Sequence, residues 1–408
     1  MHAHDGGRLD MKSGNKYRQT LIACYTGFIT QAICANFAPL LYVTFYKTYG
    51  ISLSRLALIS TVYFFTQLIT DYLCAKVVDR LGYRPCILAS CVTSGLGMMG
   101  LAVVPDLLQS PFAGIMICVV LYAIGAGLIE VLVSPIVEAC PFDNKDMVMS
   151  TLHSFYCWGS AAVILGSTAF FALFGLNHWK ILAVIWALVP LLNTFNFAVC
   201  PIETLTEDGK GMTIPQLLGN RLFWLLLILM VCAGASEIAM AQWASAFAES
   251  ALGVSKTLGD IAGPTGFAIA MALSRTLYGK FGEKADLTVF MAGSGVLCLF
   301  CYLLAGLSRN PMAGLIGCAL CGFSVGIMWP GSISISSQIM PRGGTAMFAM
   351  LALGGDLGGT LGPSIVGNIS QRFGNDLRVG VLSAIGFPIV LVISVLIVRR
   401  MRRRQVFA

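Results

Sequence analysis

Asp79-Arg80-Leu81-Gly82-Tyr83-Arg84 returns two hundred residues later as Gly279-Lys280-Phe281-Gly282-Glu283-Lys284, with base, apolar residue, glycine and base in register. Each copy separates two long apolar runs, so each reads as a short basic loop between helices. Working outward from the two loops, apolar runs broken by charged or Pro/Gly turns give twelve candidate helices. The first six centre near Cys34, Thr66, Gly95, Ala126, Val163 and Val189. The second six centre near Ser236, Ile269, Leu297, Val325, Gly355 and Pro388. Between the sets lies a polar linker, 201–220, carrying Glu203, Glu207, Asp208 and Lys210. The expected organisation is an N-terminal tail 1–19, a six-helix half 20–200, the linker, a second six-helix half 221–398 and a basic tail 399–408. Such an all-α membrane protein, with pseudo-symmetric halves, is built to alternate access around a midplane site.

Composition supports the membrane reading and excludes others. Of 408 residues, 57% are hydrophobic and 11% charged, with a mean hydropathy of +0.81; soluble domains average about 45–50% apolar and about 25% charged. A soluble enzyme, a nucleic-acid binder and a secreted disulfide scaffold are excluded. The fourteen cysteines fall mostly inside apolar runs and read as small, reduced packing residues. The two CxxC spacings, Cys298 with Cys301 and Cys318 with Cys321, lack the nearby histidine or loop that would complete a zinc site. No small-residue cleavage site closes the first apolar run near Ala35, so the first helix is expected to be retained.

Lysine and arginine placement gives the orientation. With both termini cytoplasmic, 19 basic residues lie inside and 7 outside, as the positive-inside rule requires. The expected location is a cell inner (plasma) membrane, crossed many times.

The loop Asp79–Arg84, preceded by Asp71 and Ala75, resembles the cytoplasmic signature G-x-x-x-D-R-x-G-R-R of the major facilitator superfamily, with Ala75 for the leading glycine and Tyr83 for one arginine. A narrower likeness lies further on. Gly125-Ala126-Gly127-Leu128-Ile129-Glu130 with Ser134-Pro135 is similar to the G-x-G-x-x-E-x-x-x-N-P segment of the fucose:proton symporter family. Leu152-His153-Ser154-Phe155 with Gly159, Gly234-Ala235 with Glu237 and Trp243, and Trp329-Pro330 resemble the same family more loosely. The resemblance implies the major facilitator fold and proton-coupled transport of a monosaccharide or similar small polar solute, and it implies that Glu130 matches the family's transport carboxylate. That family carries an aspartate on its first helix; here the aligned stretch Asn36–Pro39 has no acid.

The residues read independently point the same way. Glu130, Glu237 and Asp356 fall near the middle of apolar helices, whereas Asp71 and Glu138 lie closer to the inner face. An ionised acid at the bilayer centre costs roughly 2.5–3.5 kcal/mol on insertion scales, so such residues usually face a cavity and mark substrate or proton paths. Asp79, Arg80 and Arg84, with Asp71 and Arg275, form the expected inner gate. Pro39, Pro135, Gly234 and Pro330-Gly331 break the helices that lead the three-helix units, where freed backbone groups can face a cavity. His153, Tyr156, Trp158, Trp243 and Trp329 lie near those breaks, and Asn36 adds an amide. A sugar can stack on a ring while amides and carboxylates take its hydroxyls, although core packing explains any single aromatic equally well. The glycines of Gly354–Gly362 read as a helix-packing face, which leaves Asp356 unexplained.

Absences narrow the function. No Lys or Arg lies near the middle of an apolar run, Arg275 being placed toward the inner end of its helix, so the expected substrate is neutral or cationic. There is no glycine loop for ATP and no catalytic triad or metal-ligand pattern among four histidines. The expected protein is a monomeric transporter without cofactor, whose partners are protons, a small-molecule substrate and the lipid bilayer. Proton-coupled sugar symport is the leading reading. Proton-driven efflux of lipophilic cations or drugs is the first alternative, and a substrate-binding membrane sensor is the other.

Overall fold

The computed structural model describes residues 16–205, 211–250, 253, 261–374 and 376–406. Most of the N-terminal tail, including Arg8 and Lys12, and the linker residues Glu207, Asp208 and Lys210 lie outside the described residues. Among the described residues there are helices and no strand. The long helices of the first half are α1 Arg18–Leu40, α2 Leu53–Leu81, α3 Tyr83–Leu101, α4 Pro111–Ala139, α5 Lys145–Phe174 and α6 Trp179–Val199. In the second half α7 is Arg221–Ser250, α8 Gly266–Phe281, α9 Leu287–Leu307, α10 Pro311–Ile339, α11 Gly344–Arg372 and α12 Gly386–Val406.

Nine spans among the described residues are long and apolar enough to cross a membrane. The three that fall short, α3, α8 and α11, bring the number to the twelve read from the sequence. Two of the three have a structural reason, small-residue content in α11 and length in α8. Helices associate in lipid by close packing of small residues, and α11 devotes Gly354, Gly355, Gly358, Gly359 and Gly362 to it. Helix α8 is short because a π-helical turn, Ile261–Thr265 with Pro264, precedes it.

Two of the expected helix breaks are real and two are not. Helix α1 ends just after Pro39, and the chain resumes at once as Tyr42–Tyr49. Helix α10 divides into Pro311–Val325 and Met328–Ile339. A proline removes the donor for the carbonyl four residues back, and four residues before Pro330 stands Gly326, in that gap. Helices α4 and α7 run unbroken through Pro135 and Gly234. Gly234 serves packing instead: its Cα faces the Gly355 carbonyl, so α7 and α11 meet backbone to backbone, as they do where a Cβ on Gly362 would lie 2.6 Å from Ala235 O.

Contacts divide the chain into two compact units, and the division is not a single cut at the linker. One unit comprises Met1–Asp143, Trp158–Met212 and Gly344–Ala349; the other comprises Asn144–Cys157, Thr213–Gly343 and Met350–Ala408. The inner part of α5 thus belongs to the C-terminal unit, and the first residues of α11 to the N-terminal one, where Thr345 and Tyr83 share a 2.6 Å hydroxyl hydrogen bond.

The N-terminal unit packs around Phe37, Phe45, Tyr63, Tyr122 and Trp179. Its α3 and α4 touch closely because Gly97 has no side chain to strike the Tyr122 backbone nitrogen, 2.6 Å from where a Cβ would sit. At one end, Arg84 donates to the carbonyls of Phe197, Ala198 and Cys200 at 2.8, 2.5 and 2.8 Å and so caps α6. In the loop after α3, Asp106 pairs with Lys180 and accepts from Tyr49 Oη at 2.7 Å. Those contacts hold its carboxyl below the ordinary carboxylate range. A depressed acid stabilises the fold above its unfolded pKa of about 4 and loses that contribution as pH falls through the folded value. Asp106→Asn is therefore expected to lower the melting temperature slightly at neutral pH and to leave it unchanged in strong acid, as read by thermal unfolding across pH. All fourteen cysteines are free and buried.

Candidate functional site

In the N-terminal unit, α1, α2 and α4 converge on Glu130. Gln31 of α1 donates from Nε2 to Glu130 Oε2 at 2.7 Å, and Gln67 of α2 donates to the same oxygen. Gln67 and Asp71 stand four residues apart and share one face of α2; Gly127 and Glu130 stand three apart and share one face of α4. The two faces meet because Gly127 is bare: a Cβ there would come 3.0 Å from Thr70 and 3.2 Å from Asp71 Oδ1. A carboxylate oxygen of Asp71 consequently lies within 4.8 Å of one on Glu130. Gln31 and Gln67 are 7% and 5% exposed and Asp71 is fully buried, while Glu130 is half-buried. Two carboxylates this close repel when both are ionised, and the amides supply donors that an ionised Glu130 needs inside a membrane.

The C-terminal unit has a different centre. Arg275 of α8 is 3% exposed and makes an ion pair from Nη2 to Glu237 Oε2 of α7 at 3.2 Å. Its Nε donates to Gly326 O at 2.8 Å, the carbonyl that Pro330 leaves without an intrahelical donor. Its Nη1 reaches His153 O at 3.2 Å and Cys157 Sγ at 3.1 Å on the inner part of α5. Gly326 has to be glycine, since a Cβ would lie 2.7 Å from Ser274 Cβ. One guanidinium therefore ties α5, α7, α8 and α10 together.

Arg275 is buried inside the C-terminal unit, where a carboxylate and two backbone carbonyls compensate its charge. The expected gate residues have the following partners within their own units. Asp71 faces α4 and Glu130, two helical turns from Asp79; Arg84 caps α6; Arg275 pairs with Glu237. Arg80 is exposed on the last turn of α2, and the side chain of Asp79 lies outside the described residues. Trp243 and Trp329 are engaged in packing. The Trp243 indole N–H donates to Pro363 O at 3.0 Å, and the Trp329 ring lies where a side chain on Gly355 would be. Asn36 donates to Ala32 O at 2.8 Å and to Ser160 Oγ at 3.1 Å. His153 is buried and Tyr156 half-buried on α5; Asp356 is half-buried on α11, next to the Gly355 contact. Sequence reading passed over Gln31 and Gln67. For Gln67 the available signal was an amide four residues before the acid Asp71; Gln31 has no acid at that spacing.

Twelve long helices among the described residues, nine of them long and apolar enough to cross a membrane, mark a multi-pass membrane protein. The family model of the Major Facilitator Superfamily matches residues 23–363, and the chain belongs to that superfamily. Among solved structures it is similar to the transporter FucP in the outward conformation, at 14% identity over 94% of this chain and 99% of that one, TM-score 0.80. The fucose:proton symporter FucP of E. coli gives a second match at 14% identity, over 94% of this chain and 99% of that one, with TM-score 0.79. The human organic anion transporter MFSD10 matches at 16% identity, 93% of this chain and 99% of that one, TM-score 0.71. These likenesses concern the fold. No curated protein sequence matches.

Proposed function

We propose that this transporter is a proton-coupled symporter of a sugar or a similar small polyhydroxylated solute, working as a monomer by alternating access. It would sit in a cell inner (plasma) membrane with both termini cytoplasmic. The observation that carries the reading is the Glu130 cluster, an acid held by Gln31 and Gln67 beside the second acid Asp71. Protonated, Glu130 is neutral and can donate to a solute hydroxyl. Ionised, it is held by the two amides and has no proton to donate, so the solute travels with the protonated form and the empty carrier returns deprotonated. One group thereby links two fluxes. The solved FucP structure of a fucose:proton symporter, of like fold, agrees with this reading.

A ligand that binds the native state raises the melting temperature by mass action. Monosaccharides are expected to stabilise the purified protein in a thermal-shift panel, and lipophilic cationic dyes are not. Stabilisation by the dyes alone would replace symport with the efflux alternative.

A further inference from the structure

The contacts of the Arg275–Glu237 pair are unequal. Three of the guanidinium contacts, to Gly326 O, His153 O and Cys157 Sγ, fix Nε and Nη1 without help from Glu237. Nη2 is given over to Glu237. The arginine side chain is 4% exposed and that of Glu237 is 13% exposed, so the carboxylate is the less buried of the two. The groups facing the pair are Arg275 itself from α8, the carbonyl of Gly326 from α10, and His153, Cys157 and Tyr156 from α5. Among these only Glu237 supplies a full negative charge to Arg275. When Glu237 takes up a proton, the cation stays where it is and loses its counter-charge, which is costly away from water.

We propose that Glu237 is an exchangeable counter-ion and that the transported solute carries a carboxylate, which takes the place of Glu237 on Arg275 Nη2 when Glu237 is protonated. One proton goes to the Glu237 carboxylate and one anion goes to the guanidinium, so the C-terminal unit returns to the same net charge. Arg275 is preorganised for the exchange because its other contacts are independent of Glu237. The inference rests on the proposed transport of a sugar-like solute and narrows it to a sugar acid.

The test compares D-glucuronate, its neutral methyl ester and D-glucose by thermal shift and equilibrium binding on the full chain. In the wild type the acid is expected to bind more tightly than the ester. Glu237→Gln, which mimics the protonated carboxyl, is expected to tighten D-glucuronate binding by about tenfold, one charged contact's worth, and to leave the ester unchanged. The unliganded variant is expected to melt lower and to recover with the acid. Glu237→Gln/Arg275→Gln, neutral on both sides, is expected to lose the preference for the acid, and it keeps the test available where the single variant fails to fold. Equal binding of acid and ester by wild type and Glu237→Gln would overturn this inference and leave the sugar reading standing. Binding of none of the three would overturn both.

Discussion

Glu130→Gln is expected to reduce pH-gradient-driven solute uptake to the level of empty liposomes while preserving exchange of solute between two compartments at equal pH. The amide is isosteric with the protonated acid and can still meet Gln31 and Gln67 through its oxygen, but it neither releases nor accepts the coupling proton. Concentrative uptake requires that release in every cycle; exchange does not, because the loaded carrier shuttles without losing its proton. Substrate counterflow and gradient-driven uptake, measured on the same reconstituted variant, separate the two. Gradient-driven uptake that survives the substitution would place the coupling on Asp71, Glu237 or Asp356. Loss of both activities in a folded variant would make Glu130 a binding residue.

Arg275→Ala is expected to be the most destabilising single change among the residues named here. It strands the Glu237 carboxylate among apolar helices and removes the donors for Gly326 O and His153 O, and breaking one partner out of a buried pair costs about 3–5 kcal/mol. Glu237→Gln/Arg275→Gln is expected to be more stable than Arg275→Ala, since no bare charge remains and an amide can still donate to a carbonyl. Thermal unfolding of the two variants in detergent decides the point. Equal melting temperatures would mean that the guanidinium acts by filling space and bridging carbonyls, with its charge incidental.

The architecture was legible because the signals that specify it are local. Two loops in register, apolar runs of membrane length and basic residues clustered in alternate loops give the helix number and the duplication directly. Glu130 was legible too, since an acid in the apolar stretch of α4 is costly unless it has a use. Its surroundings were not. Gln31 reaches Glu130 from α1, and Gln67 and Asp71 reach it from α2, whose approach to α4 at the bare Gly127 brings them there. The partners of Arg275 were hidden for a similar reason: position along α8 says how far it is from a helix end, whereas its burial depends on Glu237 from α7 and on the carbonyl that Pro330 frees in α10. The assignment of Asn144–Cys157 and Gly344–Ala349 to units other than those of their chain neighbours left no pattern in hydropathy, because it depends on contacts distant in sequence. The tryptophans show the converse. Trp243 and Trp329 suit a sugar face by type, yet the small residues of α11, Gly355 and Gly367, receive them as packing partners.

The most direct measurement is solute uptake and proton movement followed together in liposomes containing the purified wild-type protein and a pH-sensitive dye in the lumen. With a gradient acid outside, solute is expected to accumulate above its external concentration, to acidify the lumen only when solute is present, and to lose both effects on addition of a protonophore. Uptake that merely equilibrates, unchanged by the gradient and without solute-dependent acidification, would contradict proton coupling and leave a passive carrier.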